Sequence, residues 1–238
     1  MDLKTIRTHD KFYLKENRKN NPKEYFKFIL NNAKEYIDAL EEPKVIDIGC
    51  AAGDFLYFFN TVYPNSNKYG MDIMDELLAK AREEVKEVTF FKGDIESNKN
   101  VIDIKFDIVF MNGVHSIFDD IRPVLNNIVN LLKEGGRAYV FGIFNPDPID
   151  VIIRSRKSNC NGDWEKGWNL FSINTVSSYL NELGLNYNFK EFKIGIDIDK
   201  NILDPLRSWT INMSNGEKGI INGLQLLHPF YLLEIINE

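Results

Sequence analysis

Val45-Ile46-Asp47-Ile48-Gly49-Cys50-Ala51-Ala52-Gly53-Asp54 decides how this chain folds. The apolar run Val45–Ile48 predicts a buried strand. It breaks at glycines and resumes in Phe55-Leu56-Tyr57-Phe58-Phe59, which predicts the start of a helix. Strand, glycine turn, helix is the nucleotide-cradling unit of doubly wound α/β folds. Gly49 and Gly53 let the backbone approach a ligand, and the helix N-terminus offers unpaired N–H groups. A dinucleotide fingerprint counted from Gly49 would place glycines at 51 and 54. The chain has Ala51 and Asp54 there, which argues against a nicotinamide or flavin.

Working outward, Lys68–Ile73 predicts a second strand ending at Asp72, 19 residues after Gly53. That spacing suits an acid that accepts hydrogen bonds from ribose hydroxyls, since an ionised carboxylate is acceptor-only. A helix-capping role for Asp72 competes with this, as does Asp75 for the cap itself. Val88–Lys92 predicts a third strand, followed by Gly93-Asp94-Ile95. Phe106–Asn112 predicts a fourth, followed by Gly113 and Val114, and a helix is expected over Ile121–Leu132. Leu131-Leu132-Lys133-Glu134-Gly135-Gly136 then leads into a fifth strand, Arg137–Ile143.

The acid at 47, the glycines at 49 and 53, Asp72, Asp94, Phe106-Asp107-Ile108-Val109 and the Leu-Leu-Lys-Glu-Gly-Gly turn stand in one order over residues 45–143. This order resembles the class I S-adenosylmethionine (SAM) methyltransferases, whose first motif is (D/E)xGxGxG. Ala51 stands where the usual form has its middle glycine. The resemblance implies a Rossmann-like α/β fold: a doubly wound seven-stranded sheet with an antiparallel last strand, helices on both faces, and here an extra β-hairpin near the C-terminus. It implies SAM as cofactor, S-adenosylhomocysteine (SAH) as product, and cofactor contacts from Asp47, Gly49, Ala51, Gly53, Asp72, Ile73, Asp94, Ile95, Asn112 and Gly113. Asp94 would take the adenine amino group and Ile95 would pack on the ring.

The remaining segments frame that unit. Residues 1–20 are polar, and Pro22 is expected to open a helix through Leu40 with Tyr25, Phe26, Ile29, Leu30, Ala33, Ile37 and Leu40 on one face. Residues 144–170 hold Pro146, Pro148, Trp164 and Trp168, with helical spacing from Ile149 to Arg156. A connection of that length is usually functional or disordered. Ser172–Leu183 predicts a capped helix stopped by Gly184. Glu191–Ile198 predicts a strand, Arg207–Met213 and Glu217–Asn222 a hairpin about Asn215-Gly216, and Pro229–Ile236 the last strand. The chain reads as one domain, 1–238, with a cap at 1–40 and acceptor-side insertions at 144–170 and 200–223.

Composition narrows the function. The formal net charge of −6 argues against an open nucleic-acid-binding face. Cys50 and Cys160 form neither a ligand cluster nor a disulfide framework, and with three histidines no metal site is expected. No apolar run reaches the ~18 residues of a membrane span, and no signal core opens the chain, so a cytoplasmic location is expected.

A methyl on a sulfonium is already activated, so the protein must align the acceptor, exclude water and remove a proton where needed. His115, three residues beyond the fourth strand, is the candidate base. Tyr13, Asn145, Arg154, Trp164, Trp168 and Arg207 are the candidate acceptor contacts. The arginines suit a phosphate or carboxylate. Trp164-Glu165-Lys166-Gly167-Trp168-Asn169 and the run 204–223 resemble small-molecule methyltransferases of bacterial surface-polysaccharide biosynthesis. The expected reaction is methyl transfer to a small or sugar-linked acceptor, on a hydroxyl oxygen, by a monomer or homodimer. Two other readings stay open: an RNA or protein methyltransferase, and a SAM-binding module without catalysis.

Overall fold

A computed structural model describes residues 7–97, 102–158 and 162–238. Cys160 lies outside the described residues, as do positions 1–6 of the cap. A 3-10 helix, Thr8–Lys15, comes first, then α1 (Glu24–Asp38), β1 (Lys44–Ile48), α2 (Asp54–Val62), β2 (Asn67–Asp72), α3 (Asp75–Glu84) and β3 (Val88–Lys92). β4 (Phe106–Asn112), a 3-10 turn (His115–Ile117), α4 (Arg122–Leu131) and β5 (Leu132–Asn145) follow. Short strands β6 (Arg154–Ser155), β7 (Glu165–Lys166) and β8 (Phe171–Ser172) precede α5 (Ile173–Glu182). The chain ends with β9 (Asn186–Phe192), β10 (Trp209–Asn212), β11 (Lys218–Ile221) and β12 (Phe230–Ile236).

The main sheet runs β3-β2-β1-β4-β5-β12-β9, with β8 beside the end of β5. β1 lies between β2 and β4, and the chain reverses its direction of winding there. That switch point is where open α/β sheets hold ligands, beyond the carboxyl ends of the strands. β12 is antiparallel to both β5 and β9. Alternation along the strands sorts the core. Ile46, Ile48, Val109, Met111, Val140 and Leu233 face α4 and α5 on one side. Val45, Ile108, Phe110, Tyr139, Phe141 and Leu232 face α1 and α2 on the other.

Two expectations are corrected. Ile149–Arg156 is not a helix: Val151 bridges Leu170, and β6 pairs with β7. Helix formation loses because distant polar groups claim this backbone. The Asn169 Oδ1 accepts the Ile153 N–H at 2.7 Å, and the Asp150 carboxylate accepts the Ser172 N–H and Thr175 hydroxyl at the start of α5. The expected strand at 191–198 begins earlier, at Asn186, and stops at Phe192. Its partner β12 starts at Phe230, opposite Phe192, and the preceding Pro229 has no N–H to extend the ladder. The turn before the fifth strand is taken into β5 itself, and Asn215-Gly216 makes its turn with Gly216 at φ +82°.

Gly142 on β5 is an obligate small residue. A Cβ there would lie 2.2 Å from His115 Cε1. The imidazole cannot retreat, because it is stacked on Phe144 with centroids 4.3 Å apart. Gly142→Ala should therefore overpack the core by roughly 1–3 kcal/mol, read as a lower midpoint in denaturant at unchanged slope.

Candidate active site

The glycine turn between β1 and α2 is held from below. The Gly49 and Cys50 N–H groups both donate to the Met71 carbonyl, at 2.7 and 3.0 Å. Gly49, Ala51 and Gly53 have φ of +71°, +47° and +83°. A Cβ on Gly49 would meet Val114 Cγ2 at 2.3 Å, so close approach as well as positive φ requires glycine there. Ala51 keeps the left-handed conformation of the glycine it stands for, at a cost of about 1 kcal/mol. The Asp72 carboxylate ties this turn to β2: Oδ2 accepts the Ala51 N–H and Oδ1 the Met74 N–H, each at 2.9 Å. Burial raises the Asp72 carboxyl above its ordinary range against the pull of those donors. Part of the capping reading thus holds together with its place at the pocket.

A cavity of about 130 Å³ opens above the turn. Asp47, Gly49, Ala51, Asp72, Ile73, Asp94, Ile95, Asn112 and Gly113 all line it. Gly53 does not; it packs towards Phe90 and Val85 as the N-cap of α2. At the floor, Asp47 is buried, and burial pushes its carboxyl well above the usual range; among the described residues only the Asn112 Nδ2 donates to it, at 3.0 Å. The Asn112 Oδ1 is buried without a hydrogen-bond partner among the described residues. A buried carboxylate and an orphaned amide oxygen, with a further acid at the end of β2 and another just beyond β3, make a donor-hungry lining. It suits a group carrying a cation, a diol and an amino-bearing ring, which fits SAM.

A second cavity, about 490 Å³, adjoins the first. Arg7, Tyr13, Lys23, Tyr25, Asn112 and Gly113 line both. Residues 8–23 cross its mouth as a cap. The Lys80 ammonium on α3 holds that cap by its backbone, donating to the Tyr13, Leu14 and Glu16 carbonyls at 3.4, 2.9 and 2.6 Å. One wall is aromatic: Tyr25 stacks on Phe141 at 4.7 Å, and Phe141 on Phe230 at 5.5 Å. Tyr13, Trp168 and Arg207 reach this cavity as expected from the sequence. Asn145, Arg154 and Trp164 do not line either cavity. Asn145 donates to the Ile149 carbonyl, Arg154 pairs with Asp119 at 2.7 Å, and Trp164 lies under the Arg156 guanidinium.

His115 is the main correction. Its ring is 1% exposed, lies under β5 against Gly142 and Phe144, and its Nε2–H donates to the Ile143 carbonyl at 2.9 Å. Burial lowers its pKa to about 4. The side chain turns into the core because Gly142 leaves a ring-sized gap there, so it faces neither cavity. His9 does face the larger one. Its Nδ1–H donates to the buried Asp204 carboxylate at 3.0 Å, which leaves Nε2 as the basic nitrogen. Burial lowers the His9 pKa in spite of Asp204, so the ring is neutral near pH 7. Asp204 gave no local signal, since its partner is 195 positions away.

With this geometry in place, the comparisons with known proteins become informative. A methyltransferase domain model matches residues 40–165, just over half of the chain. The chain belongs to this methyltransferase family. A putative methyltransferase of Invertebrate iridescent virus 6 is 26% identical over 175 residues, covering 71% of this chain and 62% of the relative. A malonyl-[acyl-carrier protein] O-methyltransferase of Ilyobacter polytropus is 25% identical over 148 residues, covering 61% and 56%. The chain thus spans less than two thirds of the length of either. The fold is that of SAM-bound CalS10, an amino pentose methyltransferase from Micromonospora echinaspora. That match has a TM-score of 0.59 at 14% identity and covers 100% of this chain and 99% of that one.

Two outcomes follow from the buried groups. His115 has a folded pKa near 4 and an unfolded value near 6.5, so its contribution is complete above about pH 6.5 and is lost as pH falls towards 4. His115→Gln should lower the melting temperature at pH 7 through lost packing, yet shrink the drop measured between pH 7 and pH 5. Asp47 has the opposite sign: its raised folded pKa makes stability fall as pH rises through that value. Asp47→Asn should melt higher than the parent, by a margin that widens as pH rises above the ordinary carboxylate range. The same substitution should weaken SAH binding at least about tenfold in calorimetry, the scale for a hydrogen bond to a charged group.

Proposed function

We propose that this methyltransferase transfers a methyl group from SAM to a small-molecule acceptor enclosed under the N-terminal cap. The observation that carries this is the junction: Asn112 and Gly113, at the end of β4, line both cavities. A cofactor in the smaller one and an acceptor in the larger one would meet there. SAM supplies the activated methyl. The chain's own residues supply the rest. Asp47, Asp72 and Asp94 are positioned to match the ammonium, ribose and adenine. The cap and the Tyr25–Phe141–Phe230 wall exclude water, which favours displacement over solvation of the nucleophile. His9, oriented by Asp204, is the side chain suited to accept a proton from a hydroxyl acceptor. We extend the reading to sugar-linked acceptors of the surface-polysaccharide kind. The motifs at 164–169 and 204–223 support this, as does the likeness in fold to an enzyme whose acceptor is an amino pentose. The concave, capped cavity and the charge of −6 suit a small molecule better than a nucleic acid. Among the described residues no helix is long and apolar enough to cross a membrane.

Calorimetry should show one SAH per chain, and labelled SAM should methylate at least one member of a panel of hydroxyl, amine and carboxyl acceptors. His9→Gln should then lower turnover at least about tenfold, within the range for a general base, with SAH affinity unchanged. Absence of SAH binding at millimolar concentration would refute the cofactor assignment.

A further inference from the structure

The larger cavity contains a charge arrangement that the reaction alone does not need. Glu16 in the cap is 8% exposed and serves three cations at once. Arg18 Nε donates to its Oε1 at 2.6 Å, Arg207 Nη1 to the same oxygen at 2.9 Å, and Lys23 Nζ to Oε2 at 3.3 Å. Burial alone would raise the Glu16 carboxyl, yet Lys23, Arg207 and Arg18 together hold it at about 2. Asp204 takes the Arg207 Nε at 3.3 Å and the neutral His9. The Asp54 carboxylate accepts the Arg18 backbone N–H at 3.0 Å and burial lowers the Lys23 pKa, so Arg18, Lys23 and Arg207 face three carboxylates, Glu16, Asp204 and Asp54. The other charges on this lining are matched elsewhere or lie in solvent. Arg7 is matched by Asp10, Glu24 by Lys27 and Asp197 by Lys218, while Asp199 is exposed to solvent. Arg18 Nη1, Arg207 Nη2 and two Lys23 protons have no hydrogen-bond partner among the described residues. All three cations line the cavity.

Half-buried guanidinium groups with spare donors are best satisfied by an anion. Planar guanidinium groups suit the oxygens of a carboxylate or a phosphate. The stacked Tyr25 and Phe141 rings line the same cavity, with the Lys23 ammonium 5.8 Å over the Tyr25 ring, which suits a ring-shaped or apolar body. We propose that the acceptor carries an acidic group, carboxylate or phosphate, bound by Arg18 and Arg207 with Lys23 at the boundary, so that its nucleophile points to Asn112 and Gly113. This rests on the reading of the larger cavity as the acceptor site.

The test is calorimetry on the full chain with 4-hydroxybenzoate, 4-hydroxyphenyl phosphate and the neutral 4-hydroxybenzamide, each without cofactor and with saturating SAH. At least one anion should bind about tenfold or more tighter than the amide in both conditions, and the better anion identifies the acid. Arg207→Gln should abolish that preference. Glu16→Gln, which releases three cations from their shared carboxylate, should strengthen anion binding, an effect no purely structural role predicts. Equal binding of amide and anions, or no binding of any probe, would overturn the proposal. So would displacement of the anions by SAH, which would assign the cations to the cofactor's own carboxylate. A folded Glu16→Gln variant with no gain would also overturn it. If circular dichroism shows either variant unfolded, the parent's anion-to-amide ratio decides. Failure of SAH to bind at all would refute the cofactor reading, while the cofactor-free titrations still report on the cation cluster.

Discussion

The carboxylate of Asp72 is the constraint on which the cofactor side of this molecule depends. It accepts one N–H from the glycine turn after β1 and another from the start of α3. Two connections at the switch point are thereby fastened to the end of a single strand. With Met71 accepting the neighbouring N–H groups, the turn has little freedom to relax. Preorganisation of this kind means that backbone donors and the left-handed residues around them are set before any ligand arrives.

Two other buried carboxylates show how environment assigns different work to one functional group. Asp47 has no cation beside it among the described residues, and burial raises its pKa, a cost that a positively charged ligand would relieve. Glu16 is surrounded by cations, and its pKa is driven down; it acts as the hub that joins the cap to Arg207, 191 positions further along the chain. The first arrangement stores a binding preference, and the second stores cohesion between segments that have no backbone pairing with each other.

What could be read from the sequence follows from the range of the forces involved. β1 to β4 and the helices between them were legible because their apolar periodicity and glycines act within a few residues. Nine of the ten cofactor-side residues line one cavity for the same reason. The segment after β5 was misread as helical because Asn169 and Asp150 redirect its backbone from a distance. The end of β9 is set by Pro229 on a different strand. His115 was expected at the pocket because its position along the chain was right. Its direction, however, depends on the gap that Gly142 leaves in a neighbouring strand. On the acceptor side, Arg18 and Lys23 sit in a polar run that looks like a solvated tail; only the fold brings Glu16 and Arg207 together there.

The attachment of the cap to α3 has an evolutionary consequence. Lys80 grips carbonyl oxygens of residues 13, 14 and 16, which every amino acid possesses. Side chains facing the larger cavity can therefore drift while the grip itself persists. A lineage carrying this lysine can change the lining of the larger cavity through substitutions in the cap, and the attachment of the cap is inherited unchanged.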